Sequence, residues 1–200
     1  MKKQEAISMK NGSYHHGNLK AELIERGLEY IDRYGSETLS MRKLADAAGV
    51  SCAAPYAHFK NKEAFLGSVQ EYITEKFLDA LTESEKNCAD RSSVMLDLGI
   101  SYVKFFYSNP LYYNFLFNGR VPDLKTYEPF VFFEKVAEEW MASFSGAFEN
   151  SDSGHYMTLA LWSMVHGLAQ MVTINGVIDT EHLETEIAGI LGSVRIGEEK

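Results

Sequence analysis

The sequence predicts an all-α fold, a small N-terminal three-helix head joined by a long helix to a larger helical body. Three observations carry this. Strand-type alternation never runs beyond a few residues, whereas apolar residues recur at i, i+3, i+4 and i+7 along the whole chain. Capping residues Asn18, Ser40, Ser51 and Asn61 each stand ahead of such a run. Breakers then punctuate it: Gly35, Gly49, Asn109-Pro110, Val121-Pro122, Glu128-Pro129 and Asn175-Gly176.

The elements follow in order. Asn18 opens a first helix with Leu19, Leu23, Ile24, Leu28 and Ile31 on one face and Tyr30 in the core, and Gly35 ends it. Ser40 caps a second helix, in which Met41, Leu44, Ala45 and Ala48 share a face. Gly49 supplies a left-handed turn, Val50 an apolar plug, and Ser51 the cap of a third short helix over 51–59. Asn61 caps a helix running to about Lys86, with Phe65, Leu66, Val69, Tyr72, Ile73, Phe77 and Leu81 inward. At ~1.5 Å per residue it spans on the order of 38 Å, enough to join two domains. After a polar break at Asn87–Ser92, helices are expected at 93–108, 110–117, 129–148, 152–174 and 180–193. The organisation is an arm (1–17), a head (18–62) and a body (63–200), with helix 61–86 linking the last two.

Composition narrows the class. With 200 residues, 46% hydrophobic and 12% aromatic, the chain buries a real core and is not disordered. Cys52 and Cys88 form neither a disulfide framework nor a metal spacing, which fits a reducing cytoplasm. The first residues are charged and lack an apolar h-region, so no secretory leader is expected. Residues 157–174 are apolar, but Ser163, His166, Gln170 and the missing basic flank favour a buried helix over a membrane span. Net charge is −9, yet residues 1–62 hold ten Lys/Arg against seven Asp/Glu, net +3, leaving −12 for the rest. A mildly basic head on an acidic body suits a phosphate-binding module fused to something else.

Residues 40–59 carry the chemistry. Two short helices meeting at a Gly-Val turn, with small Ala45 facing it, have the build of a helix-turn-helix. Ser40 and its free helix-start amides can take a phosphate, with Arg42 as a charged clamp. Tyr56, His58, Lys60 and Lys62 are long enough to reach phosphates as well. A generic helical corner would place large apolar residues at 53–55. Small Cys52, Ala53 and Ala54 instead leave room for a base edge beside Ser51, and the Pro55 ring offers a face to a thymine methyl. Pro55 is the fourth residue after Ser51, so it forfeits at most the first intrahelical bond, while Tyr56 and Phe59 hold the helix to the head. No nucleophile elbow, Gly-rich phosphate loop or His-Glu-x-x-His occurs, which speaks against an enzyme. A helical adaptor without specific DNA binding stays as the alternative.

The stretches YHHGNLKAELIERGLEYI, SMRKLADAAGVS and APYAHFKNKEAF, from Tyr14 to Phe65, resemble the tetracycline-repressor (TetR) family of bacterial regulators. The most specific part is Tyr56, His58, Phe59, Lys62 and Glu63 following Ala-Gly-Val-Ser. The resemblance implies a homodimer with a DNA-binding head and a ligand-sensing, dimerising body, acting as a ligand-released repressor at a palindromic operator. It implies phosphate contacts from Ser40, Arg42 and Lys62, base contacts from Ser51 to Pro55, and backbone bracing by Tyr56 and His58. The arm Tyr14-His15-His16-Gly17 and the run from Trp162 to Gly167 resemble one branch of the family with a Trp-His-Gly regulatory domain. Whether the arm packs on the head, meets DNA or trails free stays open.

The body is less explicit. Seventeen of 25 aromatics lie between Tyr102 and Trp162, which suits a core or an apolar ligand cavity. Phe106, Tyr113, Phe117, Phe133, Trp140, Trp162 and His166 are the candidate ligand residues. His166 lies one turn after Trp162 and reads as a hydrogen-bonded core group, a polar anchor in a pocket or a metal ligand. The final two helices, as in this family, would form the dimer interface through Leu159, Met164, Leu168, Met171, Leu183, Ile187, Ile190 and Leu191. The expected partners are double-stranded DNA, a small largely apolar effector and a second copy of the chain, with no membrane, no cofactor and no metal.

Overall fold

Residues 18–117, 122–143, 151–174 and 180–193 are described in the computed structural model. The Tyr14–Gly17 arm, the expected helical stretch 144–148 and the Asn175-Gly176 turn lie outside them.

Caps define the head. The Asn18 side chain accepts from the Ala21 amide at 3.2 Å, and α1 runs Leu19–Tyr34 until Gly35 turns the chain at φ 82°. Ser40 accepts from the Lys43 amide at 3.2 Å and opens α2, Met41–Ala48, which Gly49 closes in the left-handed region at φ 66°. Asn61 accepts from Ala64 at 2.8 Å and opens α3, Lys62–Asn87. Leu23, Ile24, Leu28, Met41, Leu44 and Phe59 close the head core against Phe65 of α3.

The expected third helix differs. Residues 54–57 form a 3-10 turn that follows a bend at Cys52-Ala53. Its bonds run Ala54 to Ser51 and Tyr56 to Ala53, with the Pro55 carbonyl accepting from both His58 and Phe59. Pro55 has no amide to give, so an α-type ladder does not establish itself and the i to i−3 pattern takes over.

Gly27 makes the head close. A Cβ there would stand 2.2 Å from the Phe65 ring and 3.1 Å from Leu44. Gly27→Ala is therefore expected to lower stability by about 1–3 kcal/mol through overpacking, despite alanine's better helix propensity. Urea denaturation of the purified variant would show it as a lower midpoint.

The body is built on α4, Val94–Ser108, which packs against α3, α5 (Pro110–Phe117), α6 (Glu128–Ala142), α7 (Ser151–Ile174) and α8 (Leu183–Ser193). Its Leu98, Tyr102, Val103 and Phe106 are wholly buried. Bare Gly99 lets Leu191 and Val165 approach. Helix α3 continues the head core into this body through Val69, Ile73, Phe77 and Leu81. Helix α5 also packs on α1, so the two parts meet along a second seam. Among the described residues there is no strand, and no helix is long and apolar enough to cross a membrane.

Candidate nucleic-acid interface and aromatic core

The helix-turn-helix presents one polar, accessible face. Ser40, Arg42, Ser51, Cys52, Ala53, Tyr56, His58 and Lys60 are all exposed, and Ala54 is half-buried. The Ser40 hydroxyl is engaged by its own helix start, as a cap requires. Lys62 is half-buried, and its ammonium donates to the Glu37 carbonyl at 3.2 Å, which ties the start of α3 to the loop before α2. Lys43, which the sequence did not single out, donates to the Thr38 carbonyl at 2.8 Å and lies over the Tyr30 ring. These two bonds fix the loop that presents Ser40.

Two expectations are corrected. Pro55 is buried, so its ring packs inward and does not present an apolar face to a base. Tyr56 is 59% exposed, so it does not hold the turn to the head; Phe59, at 2%, does so together with the buried Pro55. The side chain of Ser51 also makes no capping bond, since the turn that follows starts from Ala53.

In the body, six of the seven candidate ligand residues lie in one packed aromatic cluster. Tyr113 and Phe117 flank His166 and Phe106 packs on both, while Phe133 and Trp162 join through Phe77 and Tyr102. Trp140 stands apart: its indole donates to the Ser92 carbonyl, and its ring lines a cleft of about 240 Å3 with Phe133, Met164 and Leu191.

His166 pairs with two phenols, Nδ1 with Tyr102 at 2.8 Å and Nε2 with Tyr113 at 3.2 Å. A neutral imidazole donates to one and accepts from the other. This agrees with the hydrogen-bonded core reading. Burial lowers the His166 pKa, raises that of Tyr102 well above its ordinary value, and pushes Tyr113 up to about 12. Beside them Tyr127, 4% exposed, keeps its hydroxyl buried and, among the described residues, without a well-formed hydrogen bond, although the Thr74 side chain lies near it. That buried hydroxyl was not legible from spacing.

A pH dependence follows. The folded form favours neutral His166, so as pH falls through the ordinary 6.5 the unfolded chain binds the proton first. Stability is therefore expected to drop between about pH 7 and 5. Thermal melts across this range should show a weaker drop for His166→Gln than for the parent.

The candidate dimer residues divide. Leu168, Leu183 and Ile187 are buried against their own body, which corrects their assignment to the partner face, while Leu191 packs on Gly99 but stays half-buried. Leu159, Met164 and Ile190 are half-buried. Met171 is 48% exposed and shares the accessible side of α7 with Ala160, Ser163 and Gln170.

Comparison with known proteins agrees with this layout. Residues 23–69 match the model of the family described as bacterial regulatory proteins, tetR family. The tetracycline repressor protein class G of Vibrio anguillarum is 35% identical over 69 residues, 34% of this chain and 33% of that protein. The chain thus aligns with about a third of that relative's length. Among solved structures, a protein of unknown function from Rhodococcus sp. RHA1 superposes with TM-score 0.69 at 22% identity, covering 92% of this chain and 96% of that one. A fatty acid degradation regulator from Bacillus halodurans gives 0.62 at 16% identity, covering 90% and 96%. A TetR-family transcriptional regulator from Haemophilus influenzae RD gives 0.62 at 17%, covering 88% and 95%. At these identities the structures speak for the fold, while the head match speaks for descent. The head, over residues 23–69, thus carries the sequence signature of the tetR family of bacterial regulatory proteins.

Proposed function

We propose that this regulator is a one-component, homodimeric repressor that leaves a palindromic operator when its body binds a small, largely apolar molecule. The observation that carries the DNA half is the exposed face of small and polar side chains on a rigid helix-turn-helix: Arg42, Ser51, Ala53, Tyr56, His58 and Lys60. Two such faces would enter successive major grooves about one DNA turn apart. Arg42, Tyr56, His58 and Lys60 contact phosphates, Ser51 to Ala54 meet base edges, and Lys62 orients the start of α3.

For the effector, the aromatic core offers an apolar setting in which His166 is already held by two phenols, leaving the buried Tyr127 hydroxyl as a polar anchor. The fold shared with a fatty acid degradation regulator is in keeping with an apolar ligand. Pairing through the accessible side of α7, around Met171, with α8 beside it would give a four-helix dimer interface. Ligand entry would shift α3 and change the spacing of the two heads, with a coupling of about 1–3 kcal/mol.

The test is gel retardation of the chain's own promoter fragment at several salt concentrations. Binding is expected to fall steeply with salt, Lys60→Ala to weaken every sequence about equally, and changes at Ala53 to alter base preference in a binding-site selection. Absence of retardation at low salt would favour the adaptor reading.

A further inference from the structure

Where head meets body, α1, α3 and α5 enclose a cleft of about 660 Å3. This is within the usual size of a small-molecule site. It is separate from the aromatic core: none of Tyr102, Tyr127, Trp162 or His166 lines it. Its walls are apolar, with Leu28 and Ile31 from α1, Leu66 from α3, and Leu111 and Phe115 from α5. Its charged groups are carboxylates, Asp32 on α1 and Glu63 on α3, and its lining includes no Lys, Arg or His. Asp32 accepts from the Asn114 amide at 3.1 Å, which fixes its carboxylate on the seam. Among the described residues neither Asp32 nor Glu63 forms an ion pair.

We propose that this cleft binds a small lipophilic amine, its apolar part between Leu66 and Phe115 and its ammonium at Asp32 and Glu63. Charge complementarity selects the occupant. Two carboxylates without a cation between them favour a positive head group and repel an anion, while the apolar walls accept a ring or a short chain. Asp32 and Glu63 are both exposed, so neither charge has to be fully desolvated. Because the walls come from both head and body, an occupant fixes their relative position; that consequence for DNA affinity rests on the repressor reading, whereas the binding itself does not.

The experiment uses the full chain, 4-phenylbutylamine as probe, and 4-phenylbutan-1-ol and 5-phenylpentanoate as neutral and anionic comparators, all by isothermal titration calorimetry. The amine is expected to bind with a Kd of roughly 0.1–1 mM, as a ligand of this size allows. The alcohol should bind several-fold more weakly, and the acid weaker still. Asp32→Asn and Glu63→Gln are isosteric changes at exposed positions. Together they are expected to weaken the amine about tenfold and leave the alcohol unchanged. Equal affinity for amine and alcohol, an unaltered amine Kd in the double variant, or no binding of the amine would each overturn the proposal. Retardation of the promoter fragment without any amine, measured in parallel, reports on the repressor reading alone.

Discussion

Phe59→Ala is expected to remove about 3–5 kcal/mol from the head and to abolish retardation of the promoter fragment. Phe59 is 2% exposed and meets Phe65 edge-on, with ring centroids 5.1 Å apart at 85°. Its amide closes the 3-10 turn on the Pro55 carbonyl at 2.9 Å, so the ring anchors the segment that carries Ser51 to His58. A truncation leaves a cavity between Leu44 and Phe65 that the short turn is too constrained to refill. Since a domain's whole stability is about 5–15 kcal/mol, a loss of this size melts the head at moderate temperature. Tyr56→Ala is the internal control: at 59% exposure it should change stability by under about 0.5 kcal/mol while still weakening DNA binding. Urea denaturation followed by circular dichroism distinguishes the two. A Phe59→Ala midpoint close to the parent's would show that the ring is not the anchor.

These two aromatics also mark how far the sequence could be read. Asn18, Ser40, Asn61, Gly35 and Gly49 act on their own neighbours, so their roles as caps and turns were legible and the structure reproduces them. The segment 51–59 was legible as a short helical element but not in its type, because one missing donor at Pro55 decides between an α and a 3-10 ladder. Periodicity says little over so short a turn, so Tyr56 was placed inward although it points out. In the body most helix ends fall within a residue of expectation, but α6 ends at Ala142 and α8 begins only at Leu183. Helices α7 and α8 are apolar on more than one side, however, and spacing alone does not tell which stripe meets the chain's own core. Leu168, Leu183 and Ile187 do. Gly27 and His166 depend on Phe65, Tyr102 and Tyr113, partners far along the chain, and only the fold brings these together.

Glu25→Ala is expected to loosen the head from the body at a cost on the order of 2–4 kcal/mol. One carboxylate oxygen of Glu25, on α1, accepts from Tyr72 of α3 at 2.8 Å and from Tyr112 of α5 at 2.5 Å. The two rings lie edge to face, 6.3 Å apart, so three helices converge on a single acceptor. Tyr112 is 6% exposed, and burial first, then the Glu25 carboxylate, raises its pKa, which keeps the phenol protonated as a donor at any working pH. Without Glu25 two hydroxyls lose their acceptor, and the Tyr112 hydroxyl loses it where water replaces it poorly. Hydrogen bonds to a charged acceptor are worth about 1.5–3 kcal/mol each, and the partial exposure of Glu25 brings the pair toward the lower end. The loss should be local. Both tryptophans, Trp140 and Trp162, are in the body, so their fluorescence follows the body while circular dichroism follows the whole chain. In the parent, the two signals should unfold together in urea; in Glu25→Ala, the circular dichroism transition should begin earlier than the fluorescence one. A double-mutant cycle with Tyr112→Phe should give a coupling of about 1 kcal/mol or more, since the two groups act on one bond. Coincident transitions and no coupling would mean that head and body are held by the apolar α1–α5 packing alone.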